Sequence, residues 1–198
     1  PTFTRASVAY LSDGTQVPAG QPRFEPGKFG RGVLIEEGTT NLFINPDFDT
    51  NSAWGSATWH ASGGIQGGAY YEYGYGWGFK QTVTINKGVE YTVSVFIRRN
   101  PTGNGVGRIH LSLTGEVFES NNKSELTYFY AAPDDGKWHR MSVTFKVVGT
   151  GTTSLIVRFL QAGGTGTTDF DRAQLEAKPY ATSFVNGTRA VEDLTIPR

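Results

Sequence analysis

The sequence predicts an all-β protein, a two-sheet antiparallel β-sandwich of the jelly-roll type. Short segments that alternate apolar and polar residues recur from Asn41 to Glu176, and clusters of turn-forming residues separate them. One face of each such strand is polar, which is typical of antiparallel sheets packed face to face. With 26 glycines and little helical periodicity, the chain has little helix-forming material.

The alternation predicts ten strands separated by turn signals. From Tyr91 to Ile97, for example, every second residue is tyrosine, valine or isoleucine. Clear turns lie at 86–88, 100–105, 132–136 and 149–153. The predicted strands lie at 41–48, 57–61, 69–75, 78–85, 89–98, 107–114, 126–131, 138–148, 153–161 and 168–176.

Composition along the chain predicts three segments. Residues 1–40 intersperse Gly and Pro with short apolar patches, so we expect a loop-rich N-terminal extension. Residues 41–178 form the predicted sandwich, and 179–198 are a predicted linker toward a further domain. The chain opens at Pro1 without an initiator Met, so we expect a piece of a longer protein with neighbouring domains.

Charge and composition exclude several classes of function. The 18 basic residues balance 18 acidic ones, which removes the electrostatic attraction that nucleic acid requires, so no nucleic-acid partner is expected. The absence of cysteine excludes disulfides, thiol nucleophiles and cysteine metal sites. No apolar run approaches the ~20 residues that span a bilayer, so no membrane insertion is expected.

The segment from Gly67 to Phe79 is the most informative stretch. It interleaves six aromatic residues with glycines, and a strand through it would place alternate rings on one face. Such a row is either sheet core or a platform for the flat apolar face of a sugar ring, with glycines leaving room for a ligand. Both alternatives stay open here.

The order of four motifs resembles carbohydrate-binding modules of families 4, 9 and 22. The resemblance covers residues 41–177, and its motifs are NLFINPDFDTNSAW, FKQTVTINKGVEYTVSVFIRR, GKWHRMSVTFKVVGTGTTSLIVRFLQAG and DFDRAQLEA. The flanks PRFEPGKFGRGVLIEEGTTNL and AQLEAKPYATSFVNGTRAVEDLTIP are similar to segments of bacteriophage tail, tail-fibre and bacterial surface proteins. The resemblance implies carbohydrate binding at an extracellular or virion surface. It also implies that Trp54 and Trp138 pack in the core.

Eight residues are candidates for contacting the sugar. Aromatic rings would stack on it, and arginine, histidine and tyrosine would donate hydrogen bonds to its hydroxyls or pair with a sugar carboxylate. The stacking candidates are Tyr73, Tyr75, Trp77 and Trp59, and the polar candidates are Arg98, Arg108, His110 and Tyr130. A solvated sheet face is the alternative for Arg108 and His110.

Two Asp-x-Asp pairs are candidate calcium ligands, Asp47 with Asp49 and Asp169 with Asp171. Residues i and i+2 share one face of a strand, and calcium prefers clustered oxygen ligands. The resemblance implies a structural calcium at the positions of Asp49 and Asp171. Local turn chemistry is the alternative explanation for Asp47 and Asp169.

Three functions remain after these exclusions. The first is a non-catalytic carbohydrate-binding module, and the second is a structural or assembly module that makes protein contacts and could form a homo-oligomer. The third is a polysaccharide-degrading enzyme. The sequence contains no Gly-x-Ser-x-Gly elbow and no singled-out pair of carboxylates, so we expect no enzyme.

Overall fold

A computed structural model of the chain describes residues 2–13, 15–27, 30–55, 57–73, 78–99 and 105–195. The chain divides into two compact units. We call Leu42–Ala181 the sandwich unit, and Pro1–Asn41 together with Thr182–Arg198 the flank unit.

Strands make up nearly all of the regular structure. In chain order they are β1 (Thr2–Thr4), β2 (Ala9–Tyr10), β3 (Gln16–Val17), β4 (Arg23–Gly27), β5 (Gly30–Leu34), β6 (Thr39–Thr40), β7 (Thr58–His60), β8 (Tyr70–Tyr73), β9 (Phe79–Asn86), β10 (Glu90–Arg99), β11 (Val106–Leu113), β12 (Glu125–Tyr130), β13 (His139–Lys146), β14 (Thr152–Ala162), β15 (Thr168–Glu176), β16 (Thr188–Arg189) and β17 (Asp193–Thr195). Among the described residues the helical content is one 3₁₀ turn, Ile65–Gly67. No helix in this part of the chain is long and apolar enough to cross a membrane.

The sandwich unit contains two antiparallel sheets, which confirms the predicted fold class. One sheet has the strand order β13-β10-β15-β8-β7, and the other has the order β12-β11-β14-β9. Every pairing within them is antiparallel. The alternation read from the sequence is the cause, because it gives each strand one apolar face to bury and one polar face to expose.

The core lies between the two sheets and is rich in aromatic rings. Alternate residues of β10, β11 and β14 point into it, including Val93, Ile109 and Val157, all with no exposed surface. At one end Trp54 packs edge-on against Phe79 with ring centroids 5.8 Å apart. Edge-on and offset ring pairs of this kind stabilise a core beyond the area that they bury.

Nine of the ten predicted strands form, with ends that differ by up to two residues, and the first does not. Residues 41–48 form an irregular segment in which Asn45 and Phe48 have positive φ, 50° and 59°. That backbone conformation cannot continue a strand. Phe43 and Phe48 still reach the core, so the segment buries its apolar residues without pairing in a sheet.

The flank unit joins the two ends of the chain. Strand β1 pairs with β17 and β6 pairs with β16, so the 1–40 extension and the 179–198 segment are not independent. A buried charge network lies within this unit: Arg5 donates to Glu192 at 2.9 Å and Arg23 donates to it at 2.7 Å. The predicted linker therefore contributes strands and a buried carboxylate to a folded unit.

Candidate functional site

The polar residues predicted to bind sugar lie on two different sheets. Arg98 is on β10 of the five-stranded sheet, whereas Arg108 and His110 are on β11 of the four-stranded sheet. Their neighbours Ile97 and Ile109 point into the core, so all three polar side chains lie on outer faces. Arg98 therefore does not form one site with Arg108 and His110, as the sequence analysis had grouped them.

On the five-stranded sheet, two aromatic rings flank the side chain of Arg98. The guanidinium carbon lies 4.4 Å from the centroid of the Trp138 ring and 5.3 Å from that of Tyr70. Both rings are half-buried. These distances are in the range of cation–π interactions, which hold a guanidinium against a ring face. We call Tyr70, Trp138 and Arg98 the aromatic–arginine cluster.

Hydrogen bonds fix the position of Arg98. Its Nε and Nη2 donate to Asp169 Oδ2 at 3.0 and 2.8 Å, and its Nη1 donates to the carbonyl of Gly63 at 3.1 Å. The antiparallel register brings these residues together, because Arg98 on β10 lies opposite Asp169 on β15. The guanidinium is therefore held in a defined orientation beside both rings.

Further polar groups border the aromatic–arginine cluster. The ring of His60 stacks on Tyr70 with centroids 4.5 Å apart, and its Nε2 lies 3.2 Å from Glu72 Oε2 without hydrogen-bond geometry. Asp169 Oδ1 is buried and has no hydrogen-bond partner among the described residues. Burial raises the pKa of Asp169, and Arg98 opposes that rise. The surface combines flat rings with fixed donors and acceptors.

On the four-stranded sheet, the structure brings Arg108 and His110 together as predicted. Arg108 Nη2 lies 3.1 Å from His110 Nδ1, which is also 3.1 Å from the hydroxyl of Thr127. The guanidinium of Arg108 lies 5.5 Å from the ring centroid of Phe129, a side chain that is 56% exposed. Burial lowers the pKa of His110, and the charges of Arg108 and Arg158 lower it further.

Several predicted aromatic residues have a packing role. Trp54 is in the core, as predicted, with 1% of its surface exposed. Trp59 packs against the core and donates its Nε1–H to the carbonyl of Phe48 at 2.8 Å. Tyr130 also packs against the core from β12. Trp138 is not in the core, which corrects the prediction, because it precedes β13 and lies against Arg98 instead.

The central part of the predicted stacking platform falls outside the described residues. Tyr75 and Trp77 belong to that part, and so does the side chain of Tyr73, whose backbone pairs with Thr168. Around them, Tyr71 and Phe79 are core residues whose rings stack 5.0 Å apart. The core alternative therefore holds for these two rings, and Tyr70, on the opposite face of β8, belongs to the aromatic–arginine cluster.

The four candidate calcium ligands separate into two environments. Asp169 is paired with Arg98, whereas Asp171 is 2% exposed and accepts a hydrogen bond from the backbone of Ile65 at 2.7 Å. Burial raises the pKa of Asp171 to about 7, and the charge of Asp47 adds to that rise. Burial also raises the pKa of Asp47, and the neighbouring Asp49 raises it further.

The described residues contain no group of three or more His, Cys, Asp or Glu side chains arranged to hold a metal ion. Calcium can take backbone carbonyls as ligands alongside carboxylates. A cation near Asp47 and Asp171 would therefore depend on carbonyl oxygens of the irregular 41–50 segment. That segment is close to Asp171, because the carbonyl of Pro46 accepts a hydrogen bond from Ala173 at 2.8 Å.

The sequence analysis did not identify Tyr70 and His60 as site residues, and it did not predict the contact between Trp138 and Arg98. His60 on β7 lies opposite Tyr70 on β8, but this pairing depends on a register that no local sequence pattern specifies. The signal that was available is the glycine-rich 62–68 segment before Tyr70, which indicates a turn between two paired strands.

No protein-family model and no curated protein matches the chain. Several solved structures are similar to it in fold. The carbohydrate-binding module of lichenase 5A from Cellvibrio mixtus, solved with cellotriose, is 11% identical, with a TM-score of 0.43 over 73% of this chain and 99% of that one. The xylan-binding domain CBM22-1 of Xyn10C from Paenibacillus barcinonensis is 14% identical, with a TM-score of 0.46 over 71% and 93%.

The enzymatically active domain of tailspike protein 4 from bacteriophage CBA120 is a further similar structure. It is 11% identical, with a TM-score of 0.43, and the match covers 69% of this chain and 21% of that one. At these identities the similarity concerns the fold alone.

Proposed function

We propose that the protein is a non-catalytic carbohydrate-binding module that contacts its glycan at the aromatic–arginine cluster. The observation that carries the proposal is the contact of Arg98 with both Trp138 and Tyr70, whose rings meet edge-on with centroids 6.1 Å apart, and the hydrogen bonds from its guanidinium to Asp169 and Gly63. A sugar offers a flat face of C–H groups and a rim of hydroxyls. The cluster offers rings for the face and oriented polar groups for the rim.

The cluster also suits a neutral ligand. Arg98 is paired with Asp169, and His60 lies beside Glu72, so the charges of this surface are locally compensated. Neutral hydroxyls need donors and acceptors more than they need net charge. We expect weak binding of a single module, between roughly millimolar and micromolar, or about −4 to −8 kcal/mol. Display of several copies on one particle would raise the avidity.

The proposal predicts that Trp138→Ala and Tyr70→Ala weaken glycan binding. Each change removes a ring face, and the expected loss is about 1–3 kcal/mol, the range for a base stacked on an aromatic side chain, used as an analogy. A glycan array with the 198-residue chain would find the ligand, and calorimetric titration would compare the variants. Tyr180→Ala is the matched control, because it removes an exposed ring that lies outside the cluster.

Two outcomes would contradict this assignment. Unchanged affinity in both ring variants would place the glycan elsewhere. A silent array together with a molar mass that is a multiple of the chain would favour the alternative, a structural or assembly module that makes protein contacts. The described surface carries large exposed apolar side chains, such as Val191 in the flank unit, that such contacts could cover.

The same proposal includes the setting of the module. The flanking segments resemble those of phage tail and bacterial surface proteins, which supports an extracellular or virion-surface location and neighbouring domains in a longer chain. We also propose that a structural calcium lies near Asp47, Asp49 and Asp171, supported by the hydrogen bond between Pro46 and Ala173. Release of reducing ends from glycans incubated with the protein would contradict the non-catalytic assignment.

A further inference from the structure

The outer face of the four-stranded sheet carries a row of polar residues that crosses all four strands. The register pairs Thr127 with His110, His110 with Arg158, and Arg158 with Lys80. Neighbouring strands are about 4.8 Å apart, so the row extends over roughly 14 Å. Arg108 lies beside this row and contacts His110. We call Lys80, Arg108, His110, Thr127 and Arg158 the basic row.

The cations of the basic row lack acidic partners. In the part of the chain that the structure describes, no carboxylate lies within ion-pair distance of Lys80, Arg108 or Arg158. Other basic side chains of the sandwich unit are paired, as Lys87 is with Glu116 at 2.9 Å and Lys146 with Glu119 at 3.3 Å. Glu125, opposite Ser112 on β12, is an acidic residue of the same face, but the three cations outnumber it, so the row is a local excess of positive charge.

Neutral partners hold the arginines in place. Arg158 Nη1 donates to the hydroxyl of Ser112 at 2.9 Å, and Arg108 Nη2 lies 3.1 Å from His110 Nδ1. The Nε of Arg108 is buried and has no hydrogen-bond partner among the described residues. Both guanidinium groups are therefore oriented by contacts that leave their charge uncompensated. A guanidinium in this state is suited to bind a carboxylate or sulfate.

An exposed ring and several hydroxyls adjoin the charges. Phe129 lies opposite Arg108 on β12, and Thr82 and Ser154 are exposed on the neighbouring strands. A ligand that matches this surface has acidic groups, hydroxyls and an apolar face at intervals of a few ångströms. An acidic polysaccharide has all three. Single-stranded nucleic acid would need a longer positive track and more rings for its bases.

We propose that the basic row is a second binding surface, specific for an acidic polysaccharide such as a polyuronate. It lies on the sheet opposite the aromatic–arginine cluster, and its ligand contacts would be charge-assisted hydrogen bonds from Arg108 and Arg158 to carboxylates. The ring of Phe129 would cover the apolar face of one sugar. The inference uses none of the residues on which the proposed function depends.

The test uses oligogalacturonate and its methyl ester, which has the same backbone without the charge, as probes of the 198-residue chain. We expect measurable binding of the free acid, binding of the ester that is at least tenfold weaker, and weaker binding of the acid at high salt. Arg108→Gln and Arg158→Gln should each weaken binding of the acid by about 10- to 100-fold, as expected for one hydrogen bond to a charged group.

Matched variants separate this surface from total charge and from the other site. Lys146→Gln removes one positive charge from the five-stranded sheet and should leave the affinity unchanged, and so should Trp138→Ala. Phe129→Ala should weaken binding and serves as the second probe if an arginine variant fails to fold. Dextran sulfate tests whether sulfate can replace carboxylate, and binding of it would keep the acidic-polysaccharide class while removing the preference for uronate.

Three results would each overturn the proposal. Equal binding of the acid and the ester, or wild-type affinity in both arginine variants, would show that the basic row does not recognise the acidic group. Binding of single-stranded DNA as tight as that of the oligouronate would show a non-selective polyanion surface. Loss of glycan binding in Trp138→Ala with oligouronate binding intact would support two independent surfaces, whereas unchanged glycan binding in Trp138→Ala and Tyr70→Ala would contradict the proposed function and leave this proposal standing.

Discussion

Arg98 and Arg108 illustrate how neighbours decide the role of a residue type. Both lie on outer sheet faces and both approach an aromatic ring. Arg98 is paired with a buried carboxylate, so its charge is compensated and its donors are fixed. Arg108 contacts a neutral histidine ring, so its charge is available to an anionic ligand. The sequence shows two arginines in similar strands and does not distinguish these cases.

At His110 the same neighbours predict a dependence of stability on pH. The charged groups that act on it are Arg108, Arg158 and Glu125, and two of these three are positive. Lys80 lies one strand further away, beyond Arg158. Burial and Arg108 lower the pKa of His110 below 6.5, so the unfolded chain binds a proton at a higher pH than the folded protein does. The contribution of His110 to stability is therefore lost as the pH falls through 6.5 toward the folded pKa.

We expect His110→Gln to be less destabilised than the wild-type protein on going from pH 7.5 to pH 5. Denaturant unfolding at both values measures this difference, and His139→Gln controls for the loss of a histidine from the other sheet. A His110 variant with the same pH dependence as the wild-type protein would contradict the electrostatic account of the basic row.

At the level of elements, the irregular 41–50 segment contacts strand β15 at a β-bulge. The register of β10 and β15 shifts between Ser94 and Phe96, and Arg172 has a positive φ of 49°. Next to the bulge, Ala173 donates to the carbonyl of Pro46, and the side chain of Asp171 becomes buried. Bulges of this kind re-aim side chains near functional sites. Here the bulge brings a buried carboxylate to a loop that carries two more.

The calcium proposal predicts that chelation lowers the melting temperature at pH 7.5. An ion that binds only to the folded protein stabilises it by mass action. Because burial raises the pKa of Asp171 to about 7, protons compete with the ion, and the effect of chelation should shrink at pH 5. Asp171→Asn should lose the response to calcium, whereas Asp134→Asn, at an exposed turn, should keep it.

The measurement is thermal unfolding of metal-free protein with and without added calcium. A melting temperature that does not rise on addition of calcium would discard the site. In that case the raised pKa of Asp171 has a further consequence: the folded protein holds a proton that the unfolded chain releases between about pH 4 and pH 7, so stability falls as the pH rises through that window.

For the whole molecule, the flank unit depends on buried charges. Glu192 accepts hydrogen bonds from Arg5, Arg23 and the backbone of Glu36, and its side chain has no exposed surface. Arg23 also contacts Glu36 at 2.6 Å. Breaking one side of a buried ion pair leaves the other charge without compensation. The carboxylate of Glu192 thus holds the first and last segments of the chain together.

We expect Glu192→Gln to destabilise the flank unit by roughly 3–5 kcal/mol, the usual cost of removing one partner of a buried pair. Asp193→Asn removes the same charge from the next, exposed residue and should change stability by less than about 0.5 kcal/mol. Hydrogen exchange of β1 and β17 in the full chain measures the local effect. Equal protection of these strands in both variants would contradict the role assigned to the network.

The sequence predicted the polar residues of the two surfaces, but it missed both rings of the aromatic–arginine cluster and the division of the polar residues between two sheets. Arg98, Arg108 and His110 were identified because polar residues alternate with core residues in β10 and β11. Their separation onto two sheets was not predicted, because strand order is set by contacts between distant segments. Trp138 was assigned to the core, since an aromatic residue before a long strand does not reveal which face it will cover.

By itself the sequence determined that this protein is an antiparallel sandwich, where nine of its strands lie, and which of their faces are buried. Period-two alternation and turn residues are local, and they act within each segment. Only the tertiary structure decided that Arg98 lies against both Tyr70 and Trp138, that the basic row crosses four strands, and that the two ends of the chain share a buried charge network. These depend on register and on long-range pairing, which a local pattern does not encode.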